Sequence, residues 1–366
     1  MMNRRTFLYT IAAAAAAPAA DQSEDAFLFI GALQNQVLVI DEAQNKIVDR
    51  IPMRTGVPRR MRLSYDRKKI YVWTPAKDGI EVVDMAARKV ISSFVLNQGT
   101  RRESFNGLAP DPQDKLLYGN CSTAIKQIDR FEIEKPKFAI VDLAQQKIVK
   151  TVDAPVVDGR PSVGGNYRVS PDGKNLYVFA ENVRIYDTTD LKLLDTIELS
   201  KPLFPGMATI GFFFRDDPSE SPGTVTGIFN STDAVVRRSI FGIAKFDLNK
   251  RTFDFTPVGP SASGVGGLQL SPDKKTGYTM AYHGDIGNRR GEFWIFDMAT
   301  RKVVKRAEYD GPPQGFTLSG NGKRIYLHSS APVIEMYDSA SLQPAGVIEI
   351  GADMTSGPLV VPKHLV

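Results

Sequence analysis

Cysteine is almost absent from this chain: Cys121 stands alone among 366 residues. One cysteine cannot form an internal disulfide, so stability has to come from packing. The paired cysteines and histidine that attach a c-type haem are missing as well, so the chain itself carries no such haem. Histidine is nearly as scarce. His283, His328 and His364 are the only three, and no two have the close helical spacing of a zinc site. There is no Gly-x-Ser-x-Gly step, and the carboxylates are too dispersed to pair by sequence. No apolar run reaches the roughly 20 residues that cross a bilayer, which argues against a stable membrane anchor. Long blocks of like charge are lacking too, and 46 Lys and Arg against 41 Asp and Glu leave a net charge of only +5. That excess is too mild to point to nucleic acid.

What is present begins with a leader. NRRTFLYTIAAAAAAPAA has paired arginines, Arg4 and Arg5, then Thr6, Phe7 and Leu8, a weakly apolar alanine run and an Ala-Pro-Ala-Ala end suited to a signal peptidase. Residues 1–20 are therefore set aside as an export signal of the twin-arginine type, with a general secretory signal as the alternative. Either places the mature chain in the periplasm or outside the cell. Loss of Arg4 and Arg5 lowers the net charge to +3.

From residue 21 on, a repeat dominates. SPDGKNLYV followed by FAENVRIYDTTDLKLLDTIEL is one complete unit: a tight turn, an alternating apolar strand, a second strand closing on Asp187, and a third. The hydrophobic-Asp step recurs at Asp41, Asp84, Asp142, Asp187, Asp247, Asp297 and Asp338, with 41 to 60 residues between successive aspartates. Propeller repeats run to roughly 40–50 residues. Six units carry the preceding turn, among them LSYDRKKIYVW, LAPDPQDKLLYG and LSGNGKRIYLH; the first unit, FLFIGALQNQVLVID, lacks it. The chain ends in GPLVVPKHLV, an apolar strand with no unit of its own. Both oddities follow if the array is a ring whose first blade borrows its innermost strand from the C-terminus, leaving no free sheet edge at the seam. The expectation is an all-β, seven-bladed β-propeller of four-stranded blades in a single domain, residues 21–366, with Leu359 to Val361 beside Phe27.

In such a ring the Pro-Asp-Gly turns and the post-Asp turns share one regular face. The loops between blades and between second and third strands share the other, where functional residues concentrate. That irregular face carries Arg59, Arg60, Arg101, Arg102 and Arg160 from inter-blade loops, and Arg237, Arg238, His283, Arg289 and Arg290 from middle loops. Together they form a candidate anion-attracting binding rim. The alternative is solvated charge, paired with Glu103, Asp158, Asp233, Asp285 and Glu292. Residues 120–142 are too long for an ordinary hairpin loop and are expected to stand off the rim, either as a partner-docking arm or as cover for the channel mouth. Phe212, Phe213 and Phe214 are read as core, and His328 as packed or channel-lining. SGVGGLQLS precedes a strand rather than opening a helix, so it is not a phosphate loop.

SPDGKNLYV, SYDRKKIYV and SGNGKRIYL resemble the YVTN-type propeller repeat. The seven-unit array behind an export signal is similar to the β-propeller subunit of quinohemoprotein amine dehydrogenase and, more distantly, to the heavy chain of methylamine dehydrogenase. The resemblance covers almost all of residues 26–366, and its motifs specify a fold far better than an activity. It implies a redox-silent binding or scaffold subunit with no cofactor of its own. The quinone cofactor and haem would sit on partner subunits docked on the irregular face. The alternative is a stand-alone hydrolase of the lactonase type using the central channel, with His283 as general base and Arg160 and Arg289 steering an anionic substrate.

Overall fold

The computed structural model describes residues 25–199, 208–215, 220–221, 223–233, 235, 237–260, 264–284, 290–309, 315–329 and 331–366. The leader and Arg289 lie outside these. The strands form seven antiparallel blades, each a ladder of four strands with local additions. Blade 4 shows the plan, running from its inner strand Asn166–Val169 through Asn175–Phe179 and Val183–Asp187 to the outer Leu193–Ile197. In blade 1 the inner strand is Leu359–Pro362, whose Val361 lies opposite Phe27 and whose Leu359 lies opposite Phe29. The ring is thus closed by the C-terminal strand.

Blades stack face to face, so their middle strands are buried on both sides and read as continuous apolar runs. Gln36–Asp41 is buried throughout, whereas the outer strand Lys147–Asp153 alternates with solvent. Clusters of large side chains fill the gaps between blades. Between blades 4 and 5, Phe179 meets Phe214 edge-on with ring centroids 4.7 Å apart and Phe246 at 5.6 Å. Phe212 and Phe214 belong to this cluster, but Phe213 does not: 53% of its surface is exposed. The run of three phenylalanines is a strand, and its alternation sends the middle ring to the other side.

The repeated residues earn their places through local hydrogen bonds. Each closing aspartate caps the turn after it; Asp142 accepts the N–H groups of Ala144 and Gln145, and Asp338 those of Ala340 and Ser341. Those bonds hold the Asp142 and Asp338 carboxyls below the usual range. On the same face a buried serine opens each regular turn. The Ser170 hydroxyl donates to Asp172 at 2.5 Å and accepts the Asn175 N–H at 2.9 Å, and Ser64, Ser271 and Ser319 repeat the pattern. In blade 3, Asp111 substitutes by accepting from Lys115 and Leu116. Ser170→Ala leaves the part-buried Asn175 N–H without its side-chain acceptor and is expected to cost about 1 kcal/mol, read as a lower urea midpoint at unchanged m-value.

Candidate functional site

The structure distributes the candidate rim residues unevenly. Arg59 and Arg60 border a recess of about 370 Å³ with Arg62, Asn166, Ser356 and Gly357, at the channel mouth on the irregular face. Arg101 and Arg102 are engaged elsewhere. Arg101 bonds to Glu103 and, at 2.8 Å, to Glu134, while Arg102 bonds to the fully buried Asp78 and to the Pro75 carbonyl at 3.0 Å. Of the anticipated partners, Glu103 is used by Arg101. Arg160 sits exposed on a two-residue ladder, Val156–Val157 with Arg160–Pro161. Arg237 and Arg238 are exposed in the connection between Thr224–Thr232 and Ser239–Asp247; Arg237 has φ 51°, and the Arg238 carbonyl accepts the Asp233 N–H.

His283 and Arg290 face each other across the hairpin that joins the second and third strands of blade 6. His283 Nε2 is 3.1 Å from a Glu292 carboxylate oxygen. Burial pushes the Glu292 pKa up, but hydrogen bonds from Trp294 and His283 outweigh it and hold the carboxyl low. Since His283 belongs to a second strand, it stands one strand out from the channel wall.

Within residues 120–142 the blade ladder ends at the Cys121–Lys137 pair, and residues 122–136 continue past it as an extended hairpin. The second strand of blade 3, Leu116–Lys126, overruns its partner Lys137–Asp142 and pairs instead with Phe131–Ile133. Glu134 ties the base of the arm to Arg101 and to Lys137, the latter at 3.1 Å. Ile128, Phe131 and Ile133 are exposed on it, the last two at 66% and 71%. Cys121 lies buried below, its thiol pushed up to about 11 by desolvation and by the Glu103 charge, so it is no ready nucleophile.

The channel wall is where the structure adds most. Strand pairing aligns one position on each inner strand: Leu359 opposite Phe29, Arg62 opposite Tyr71, Ala109 opposite Tyr118, Arg168 opposite Tyr177, Gln269 opposite Tyr278 and Thr317 opposite Tyr326. Blade 5 contributes Arg215, two residues past the Phe213–Ile228 pair. Three of these seven aligned positions are therefore arginine, and none of the seven is acidic. Arg62 and Arg168 line a shared recess of about 170 Å³ with Glu220. Arg168 lies over the Phe214 ring at 4.7 Å. Arg215 reaches from blade 5 to blade 7, where it donates to the Phe316 carbonyl at 3.0 Å and lies 5.6 Å from that ring. Gly267 of blade 6 makes the passage possible, since a Cβ there would come within 2.9 Å of the Arg215 side chain.

Arg215 is open to the channel yet crowded by its walls, and desolvation lowers its pKa. Close by, His328 lies across Gly315 and Gly357, where added Cβ atoms would meet the imidazole at 2.2 and 2.8 Å. Burial, then the Arg215 charge, brings its pKa down to about 4, so the ring is neutral at neutral pH. Sequence reading by loops passed over Arg62, Arg168 and Arg215, although a signal was there. In blades 2, 4, 6 and 7 the aligned position is two residues before the turn serine, at Arg62, Arg168, Gln269 and Thr317. Among the described residues, no group of three or more His, Cys, Asp or Glu is placed to hold a metal ion, and no helix is long and apolar enough to cross a membrane.

No protein-family model matches this sequence, and no curated protein matches it. Solved structures do. A dihydro-heme d1 dehydrogenase, NirN, in complex with DHE superposes with a TM-score of 0.54 at 13% identity over 92% of this chain and 75% of that one. Kuenenia stuttgartiensis hydrazine synthase matches with a TM-score of 0.52 at 14% identity over 84% and 96%. A functionally unknown protein from Desulfotomaculum acetoxidans DSM 771 matches with a TM-score of 0.56 at 12% identity over 92% and 99%. At such identities the likeness is one of fold: a seven-bladed propeller. None of these three is an amine dehydrogenase by its description, and none bears on the YVTN type of the repeat.

Proposed function

We propose that this chain is an exported, non-redox binding or scaffold subunit that docks a protein partner on its irregular face. In its most specific form it is the propeller subunit of a complex similar to quinohemoprotein amine dehydrogenase, with quinone and haem carried by the partners. The observation that supports the reading best is the blade 3 arm, which holds Ile128, Phe131 and Ile133 in water on a frame braced by Arg101, Glu134 and Lys137. Apolar side chains grouped on a braced projection are the anatomy of an interface core. One of the structural neighbours is named as a dehydrogenase acting on a dihydro-heme, which favours a redox setting for this propeller as well.

The test is purification of the tagged chain from its native host, read by haem absorbance and by the mass of the co-eluting subunits. A stoichiometric haem-bearing partner is expected. Replacing Ile128, Phe131 and Ile133 together by serine should weaken its retention at least tenfold with Tm unchanged, because buried aromatic and aliphatic anchors dominate such contacts. A chain that elutes alone, or an arm variant that retains its partner in full, overturns the reading. Lactone turnover by the purified chain, lost in His283→Ala, would replace it with the hydrolase.

A further inference from the structure

The recess at the channel mouth has no part in docking on the blade 3 arm. We infer that it is a binding site for a small dianion carrying carboxylate or phosphate groups, held by Arg59 and Arg60 with Asn166 and Ser356.

Four separate stretches of chain meet there: Arg59 and Arg60 at the entry to blade 2, Gly107 in the inner strand of blade 3, Asn166 at the start of the inner strand of blade 4, and Ser356 just ahead of the closing strand. The volume of about 370 Å³ falls within the roughly 300–1,000 Å³ of small-molecule sites. None of the residues lining it is acidic. Among the described residues, neither the Arg59 nor the Arg60 guanidinium has an ion-pair or hydrogen-bond partner, whereas Arg62 on the same wall is already engaged. Two adjacent cations without a counter-charge repel each other, and a ligand that brings two negative charges turns that repulsion into attraction. The residue type points the same way: arginine presents a planar fork that matches carboxylate and phosphate oxygens two at a time.

The neighbouring polar groups are donors as well. The Ser356 hydroxyl accepts the Gly31 N–H at 2.9 Å, which leaves its own hydrogen to donate. Asn166 stands at the end of its ladder, opposite Phe179, and its amide has N–H groups to give to a ligand oxygen. The wall is also fixed from both sides. Thr355 donates through its hydroxyl to the Pro58 carbonyl at 2.5 Å and through its N–H to the Gly31 carbonyl at 2.8 Å. Gly31 permits this approach, because a Cβ there would come within 2.8 Å of the Ser356 hydroxyl and 3.1 Å of the Pro58 ring. On the other side the Arg59 N–H donates to the Trp73 carbonyl at 3.0 Å. At Gly165 a Cβ would meet nothing within 4 Å, so main chain alone borders the recess there and leaves it open. The backbone is thus set before a ligand arrives, and only the two long side chains remain to be ordered.

The purified chain is titrated calorimetrically with succinate, with inorganic phosphate, and with sodium chloride at matched ionic strength. Saturable 1:1 binding of succinate or phosphate is expected, with a raised Tm on saturation and an affinity that falls as salt is added, because both arginines are exposed. Saturation by succinate alone assigns a carboxylate ligand, and by phosphate alone a phosphate ligand. Arg59→Gln and Arg60→Gln should each weaken binding about tenfold. Asn166→Asp keeps the shape of the side chain but adds a negative charge, and should weaken binding at least as much. Lys89→Gln, on the exposed outer strand of blade 2, removes the same charge as the arginine variants and should leave binding unchanged. Circular dichroism and Tm of each variant without ligand confirm that the ring is intact. Heats no greater than those of chloride, undiminished binding in both arginine variants or in Asn166→Asp, or an equal loss in Lys89→Gln would each overturn the site. No partner subunit enters the titration, so its outcome is independent of docking on the arm.

Discussion

Deleting residues 359–366 is expected to lower the Tm by roughly 7–14 °C and to turn a monodisperse chain into one that aggregates on warming. These residues supply the fourth strand of blade 1. Val360 packs with Ile30, Ile40 and Ile348, and Val361 with Phe29, Val39 and Val72, while Leu359, Leu365 and Val366 cover the second of these clusters. Burying that set contributes roughly 5–10 kcal/mol at 1.5–3 kcal/mol for each fully buried aliphatic side chain. Lys363 adds contacts to Asp41 at 2.9 Å and Asp25 at 3.7 Å and lies over Phe27. For a chain of this size, 1 kcal/mol moves the Tm by roughly 1.4 °C, from an unfolding entropy near 2 cal/mol/K per residue. The second effect follows from the bared edge. Ala26–Ala32, AFLFIGA, would present an unpaired, uncharged, apolar strand, a template for pairing between molecules. Calorimetry with light scattering checks both. A truncated chain melting within 3 °C of the intact one, without scattering, would mean the ring does not depend on this seam.

That seam was legible in the sequence because it showed as two local irregularities, a first unit without its turn and a last strand without a unit. The blade count was legible for a similar reason. The Ser-x-Asp turn and the closing Asp satisfy backbone groups two to five residues away, so each motif lies within one short window. The channel was not legible in that way. Arg215 acquires its neighbours from Phe316, 101 residues on, and that contact exists only because blade 6 offers Gly267 at the crossing. Double arginines were an unreliable guide for the opposite reason. Arg59 and Arg60 look in the sequence like Arg101 and Arg102, yet the latter are met by Glu134 and Asp78, at separations of 33 and 24 residues. Phe213 is the intermediate case. Strand parity alone would have turned it away from Phe212 and Phe214, had the run been treated as a strand rather than as an apolar block.

Opposite responses to pH are expected from two buried groups, and each can be exposed by removing the other. Glu42 is buried at the junction of blades 1 and 7, where one carboxylate oxygen accepts the N–H groups of Ala26 and Gly320, both at 3.1 Å. Burial raises its pKa from 4.5 to about 7, against the pull of Gly320, Tyr326, Ala26 and Arg324. Between those values the folded chain holds a proton that the unfolded chain has released, so stability falls as pH rises through the window, by about 3 kcal/mol in all. His328 does the reverse. Its pKa drops from 6.5 to about 4, so between those values the unfolded chain binds the extra proton, and stability rises with pH by a similar amount. The two slopes nearly cancel between pH 4.5 and 6.5 in the natural chain. In Glu42→Gln the amide oxygen can still accept from Ala26 and Gly320, and stability should climb from pH 4 to 6.5 and exceed that of the natural chain by about 3 kcal/mol at pH 8. In His328→Gln it should instead decline from pH 4.5 to 7. Urea titrations of the three chains at half-unit steps from pH 4 to 8 measure these slopes directly. Three parallel profiles would show that neither group changes its proton affinity on folding, and that the junction of blades 1 and 7 tolerates the Glu42 charge without penalty.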